Sequence, residues 1–325
     1  MTSICNYPLR FEPLFRQYLW GGRRLATMLN KQLGQGDDYA ESWEIVDHGE
    51  DQSVVAYGPT RGLTLHKLVA NHPEELFGHH ANQTQFPLLF KFLDCNRTLS
   101  VQVHPNDQQA ALLDPPDLGK TEAWVVLAAE PGSKIYAGLK SGVTREDLGS
   151  AIEAGKCAEC LHEFEPQTGD CVFIRAGTVH ALGAGLVIAE IQQASDTTFR
   201  LFDWNRVDAQ GNPRQLHIEQ SLAVTDYDRG PVAPQQPAST DVPCRDRLVH
   251  CDKFILDRCT ITQPTRFGGD QQFHLLVPLK GAITLAGDAS EKPLSLGDTC
   301  LLPAAAGDVE ACPEGEAVVL DIYLP

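Results

Sequence analysis

This 325-residue chain has no surplus of positive charge. Its 26 Lys and Arg stand against 43 Asp and Glu, giving a net charge of −17, and the basic residues are scattered. That balance argues against a general nucleic-acid surface, and an anionic ligand would need a local basic pocket working against the overall field. No apolar run approaches the length of a membrane span, so no membrane partner is expected. Residues 1–16 are polar and charged throughout, with no apolar h-region, which predicts no secretory signal and a cytoplasmic location. Cys157 and Cys160 form a C-x-x-C, but no second pair sits at zinc-ribbon spacing and no βαβ pattern surrounds it. The ten cysteines therefore read as reduced thiols rather than a disulfide framework. What remains is an ordinary globular composition, 42% hydrophobic and 21% charged, in a chain long enough for two domains.

Along the chain the pattern is mainly β. Residues 41–46, 86–93, 99–104, 120–128 and 171–191 read as strands, with turn residues over 94–98. Leu65, Leu68, Val69 and Leu76 predict a helix over 63–76, and Trp20-Gly21-Gly22 a turn opening another. Residues 106–113 predict a short helix, and 144–154 a helix with an N-cap Thr144 and Asp147 three residues on. Pro231, Pro234 and Pro237 mark a linker, after which strands and turns run to the end. Two β-rich units are expected, over 1–230 with helical insertions and over 240–325. A faint repeat agrees: Gly169-Asp170 and Gly297-Asp298 each precede an apolar run, and in that register His180 falls opposite Asp308. The expected architecture is a duplicated β-barrel whose second copy lacks the metal site.

Chemistry concentrates in the first unit. Side chains two apart on a strand share a face, so Gln102 and His104 project together, as do Lys120 and Glu122. His180 lies beyond a turn at Gly177, at the start of the next strand. Two imidazoles and one carboxylate leave positions open for water or substrate, the pattern of a catalytic metal site; Gln102 would be a weaker oxygen ligand. Zinc is the default for this donor set, with manganese, iron or nickel as alternatives. Lys120 reads as a cation in or beside the pocket; the plain alternative is an exposed lysine at a strand entry. Glu190, Arg200 and Arg206 are candidates for acid–base and anion-binding work, the alternative for 203–206 being a solvated turn.

These segments together resemble the type I mannose-6-phosphate isomerases, a zinc-dependent cupin family. The similarity runs through Tyr18-Leu19-Trp20-Gly21-Gly22, Glu41-Ser42-Trp43-Glu44 and Phe86-Pro87-Leu88-Leu89-Phe90-Lys91. It continues through Leu99-Ser100-Val101-Gln102-Val103-His104-Pro105, Gly119-Lys120-Thr121-Glu122-Ala123-Trp124 and Gly177-Thr178-Val179-His180. The resemblance implies two cupin (jelly-roll) units, the shorter bacterial form of the family, and one Zn²⁺ per chain on Gln102, His104, Glu122 and His180. It implies Arg200 as a catalytic arginine, Lys120 and Glu190 in the pocket, and Ser100 near a sugar phosphate's phosphate group. The implied reaction is interconversion of mannose 6-phosphate and fructose 6-phosphate; the rivals are another aldose or a non-catalytic sugar-binding cupin. Arg206 stands where some relatives place lysine, leaving its phosphate contact open, and oligomeric state is not legible.

Overall fold

In the strand Leu186–Gln193 every residue is buried, so both of its faces are covered. Val187, Ala189 and Ile191 enter one apolar core, while Leu186 and Ile188 enter another. That single strand marks the architecture: a sheet sandwiched between two cores. The computed structural model describes residues 3–207 and 210–325.

The strand lies third in a six-stranded antiparallel sheet of order Cys171–Ile174, Glu122–Ala129, Leu186–Gln193, Leu88–Cys95, Tyr39–Ile45 and Leu14–Gly22. A five-stranded sheet faces it, ordered Leu161–Phe164, Ile135–Leu139, His180–Leu182, Val101–Val103 and Phe199–Phe202. From Ala238 onward the strands enter two further sheets. One runs Ala238–Ser239, Arg245–His250, Ile255–Ile261, Ala317–Tyr323, His274–Lys280 and Cys300–Leu302; the other runs Thr265–Phe267, Val309–Pro313, Ala282–Leu285 and Leu294–Ser295. The first unit's order recurs in the second, strand for strand, over the five strands from Cys171–Ile174 to Tyr39–Ile45. On this distribution we propose two units, over 1–230 and 240–325.

The two six-stranded sheets share a core. Phe90, Phe92, Val125 and Val187 pack in one cluster with Leu256, Leu275, Leu301 and Leu320. Phe86 and Phe273, both fully buried, meet at a 49° tilt with centroids 4.8 Å apart across the same seam. Leu9 exchanges backbone hydrogen bonds of 2.8 and 2.9 Å with Leu301. The extreme N-terminal segment thus packs with the second unit as well as the first.

Helices depart locally from the sequence pattern. The expected helix over 63–76 is two, Leu65–Asn71 and Pro73–Phe77, because Pro73 lacks an N–H and its ring would strike the preceding turn. Leu65, Leu68, Val69 and Leu76 are nonetheless all buried, so the apolar spacing alone hides the break. The helix expected over 106–113 is a single turn, Asp107–Ala110: Ala110 is buried but Leu112 is exposed, so no apolar face rewards extension. Arg145–Glu153 forms with the expected Thr144 cap, whose Oγ1 accepts from the Asp147 amide while Asp147 Oδ2 accepts from the Thr144 amide.

Candidate metal centre and substrate cavity

Strand geometry builds the site at one end of the first sandwich. Val101 and Val103 enter the core behind the five-stranded sheet, which leaves Ser100, Gln102 and His104 on the opposite face. Gln102 and His180 are direct cross-strand partners. Glu122 opens its strand beside Ile174 on one side and Gln192 on the other. Three separate strand ends therefore bring His104, Glu122 and His180 together, with one candidate ligand atom from each within 4.8 Å of the others.

Each ring is held by its second nitrogen. His104 Nδ1 donates to the Thr197 carbonyl at 3.0 Å, and His180 Nδ1 donates to the Thr178 carbonyl at 2.9 Å. Those bonds leave the Nε2 lone pairs aimed at Glu122, where His104 Nε2 lies 3.6 Å from Oε2 and His180 Nε2 lies 3.5 Å from Oε1. Burial, and then the charge of Lys120, pushes the proton affinity of His104 well below its ordinary value. Burial also takes His180 down to about 4. Both imidazoles are thus neutral at pH 7, the state metal ligation requires. Burial raises the Glu122 carboxyl to about 7 against the opposing pull of Lys120.

Two buried polar atoms at this point, Glu122 Oε1 and His180 Nε2, have no hydrogen-bond partner among the described residues. Buried polar groups are normally paired, so this pair of orphaned acceptors facing each other fits a cation between them. The donor set of two nitrogens and a carboxylate suits a divalent transition metal.

A cavity of about 300 Å³ adjoins the centre. Ser100, Gln102, Lys120, Glu190 and Arg200 all line it, so five of the sequence-derived residues meet there. Lys120 Nζ donates to Glu122 Oε2 at 2.7 Å and lies 3.1 Å from His104 Nε2, which settles it as a pocket lysine rather than an exposed strand entry. Glu190 Oε2 accepts from Trp124 Nε1 at 3.0 Å. Burial opposes charge on Glu190, but Lys91 and Lys120 outweigh it and hold its carboxyl below the ordinary range. Arg200 donates through Nε to Ser100 Oγ at 3.0 Å.

Arg206 departs from expectation. It lines the neighbouring cavity rather than this one, and its guanidinium is committed to the Asp203 carboxylate, the Asp203 carbonyl and the Thr98 carbonyl. It clamps the turn after Phe202. Residues that sequence reasoning passed over also line the cavity, notably Lys91, Glu41, Trp20 and Arg214. Lys91 Nζ sits 3.2 Å from Glu190 and 3.5 Å from Glu41, over the Trp43 ring. The available signal was a lysine inside a continuous apolar run, since a charge buried there must be paired.

The second unit has no equivalent centre among the described residues. By sheet register His274, opposite Leu302, takes the place of Glu122, opposite Ile174. His274 instead bonds Asp321 at 2.7 Å and Asp270 at 3.0 Å, and the exposed Asp308 pairs with Arg266.

Paired antiparallel sheets place the protein in the cupin class, and the imidazoles and carboxylate converging at one mouth could hold a metal ion. Residues 9–123 match the model of the phosphomannose isomerase type I catalytic domain. The chain is 33% identical to mannose-6-phosphate isomerase ManA of Bacillus subtilis over 96% of its own length and 98% of that protein's. It is 36% identical to mannose-6-phosphate isomerase of Streptococcus mutans, covering 90% of the chain and 92% of the relative. The crystal structure of mannose 6-phosphate isomerase from Bacillus subtilis superposes with a TM-score of 0.87 at 27% identity, over 97% of this chain and 99% of that one. The chain belongs to the type I mannose-6-phosphate isomerase family.

Proposed function

We propose that the protein interconverts mannose 6-phosphate and fructose 6-phosphate through a cis-enediol, with one Zn²⁺ held by Gln102, His104, Glu122 and His180. The observation that carries this reading is the facing pair of orphaned acceptors, Glu122 Oε1 and His180 Nε2, beside a cavity walled by an ionised carboxylate and an arginine. Bound there, the metal supplies Lewis-acid polarisation of a substrate oxygen.

The remaining work falls to side chains. A C–H beside a carbonyl is a weak acid, so a fixed base and fixed positive charge are both needed. Glu190 is the base: Lys91, 3.2 Å from Oε1, and Lys120, 3.9 Å from it, hold the carboxylate ionised in the cavity wall. It takes the proton from C2 and returns it at C1. Lys120, whose Nζ lies 2.7 Å from Glu122 Oε2, gives a proton to O1 as the enediol forms and takes the O2 proton back as C1 is protonated. Arg200 adds cationic stabilisation from the strand beside Gln102, and Ser100 Oγ serves the phosphate end. We also place the protein in the cytoplasm, where its ten free cysteines stay reduced. A coupled assay for fructose 6-phosphate, run beside elemental analysis, tests the reading. Turnover with stoichiometric zinc supports it, and zinc-loaded protein without turnover on this substrate opposes it.

A further inference from the structure

We propose that Arg214 is the guanidinium that grips the substrate's phosphate together with Ser100, leaving Arg200 to the reacting carbons. The substrate's identity rests on the isomerase reading above; the anion site rests on the cavity itself.

Four cationic side chains line the cavity: Lys91, Lys120, Arg200 and Arg214. The lysines are matched by carboxylates, Lys91 by Glu190 at 3.2 Å and Glu41 at 3.5 Å, and Lys120 by Glu122 at 2.7 Å. The acidic Asp196 in the same wall acts on Lys91 too. That end of the cavity offers a dianion little net attraction. The arginine end differs. Asp203 lies 3.8 Å from Arg214, but its carboxylate already binds Arg206, so one carboxylate serves two guanidiniums with Arg200 close by. Burial, and then the like charge of Arg214, lowers the proton affinity of Arg200. Among the described residues a local cationic surplus persists there inside a strongly acidic protein, and it is built from forked donors that match a phosphate's oxygens.

The backbone explains why Arg214 is held there. Arg200 Nη1 donates to the Gln215 carbonyl at 3.2 Å, the His217 amide donates to the Arg200 carbonyl at 2.7 Å, and the Arg200 amide donates to His217 Nδ1 at 3.2 Å. The segment carrying Arg214 is thereby stitched to the strand carrying Arg200. Arg206, one of the anion-binding candidates in the sequence, is spent on Asp203 and Thr98. The axis is right as well: Ser100 lies two residues, about 7 Å of strand, from Gln102 at the metal centre. A hexose 6-phosphate likewise separates its reacting C1–C2 end from its phosphate.

The test uses the full-length metal-loaded protein and inorganic phosphate as probe, with phosphate binding measured by calorimetry and mannose 6-phosphate turnover by coupled assay. Arg214→Ala raises the phosphate Kd and the substrate KM together by about 10- to 100-fold, as loss of a charge-assisted contact does, and Arg214→Lys recovers part of both. Wild-type phosphate affinity in folded Arg214→Ala protein overturns the proposal, as does failure of the wild type to bind phosphate. If the wild type binds phosphate through Arg214 yet does not isomerise mannose 6-phosphate, the anion site stands and the isomerase reading falls.

Discussion

Lys120 holds its ammonium 3.1 Å from Nε2 of His104, at the edge of the metal centre. The same nitrogen stands 2.7 Å from Glu122 Oε2 and 3.9 Å from Glu190 Oε1. One buried cation therefore touches an imidazole ligand, a carboxylate ligand and the proposed base. Burial and this cation together keep His104 neutral, and Lys91 with this cation keeps Glu190 ionised.

Replacing either imidazole removes one of the three candidate metal donors. His104→Ala and His180→Ala should each lose bound metal and turnover while far-UV circular dichroism stays that of the wild type. Metal content by elemental analysis is the check. Wild-type turnover in either variant contradicts the centre.

Glu190→Gln keeps the shape and the Trp124 contact but cannot accept a proton. Turnover should fall by about 10²- to 10⁴-fold, the contribution of a positioned base. Exchange of the C2 hydrogen with solvent deuterium should fall with it, and metal content should hold. Undiminished exchange assigns the base elsewhere.

Arg200→Ala removes fixed charge beside the substrate without touching the metal donors. Turnover should drop by about 10²- to 10³-fold, as when an oxyanion-stabilising donor is deleted. Zinc stoichiometry should not change; a loss of metal instead would show that Arg200 supports Gln102 on the neighbouring strand.

The second unit carries a stability prediction. Burial opposes charge on His274, but Asp321 and Asp270 overcome it and raise the imidazole from 6.5 to about 10. Burial likewise opposes charge on Asp270, but His274 brings its carboxyl down from 3.8 to about 2. A raised imidazole stabilises the fold fully below pH 6.5 and loses that contribution as pH climbs through about 10. A lowered carboxylate contributes above pH 3.8 and fades as pH falls through about 2. The Tm deficit of His274→Gln should thus be widest between about pH 4 and 6.5 and should narrow toward pH 10. A deficit that widens with rising pH contradicts this pairing.

How much of this was legible without coordinates follows from range. Gln102 with His104, and Lys120 with Glu122, are two residues apart, so strand periodicity alone placed them on common faces. Their convergence with His180 needed the fold, and family motifs stood in for it. Lys91 stayed hidden because its partners Glu41 and Glu190 lie on neighbouring strands, joined only by sheet register. That Arg206 binds Asp203 and Thr98 while Arg214 lines the cavity is a matter of side-chain packing, which spacing does not encode. Pro73 was the opposite case, a local signal overlooked under a convincing apolar pattern.

Reversible chelation bears most directly on the central claim that a divalent ion on His104, Glu122 and His180 drives isomerisation. Fructose 6-phosphate formation should be measured in the purified protein, after a chelator has been applied and dialysed away, and again after zinc is restored. The account predicts that turnover disappears with the metal and returns with it. Full turnover in protein shown by elemental analysis to hold no metal would contradict it.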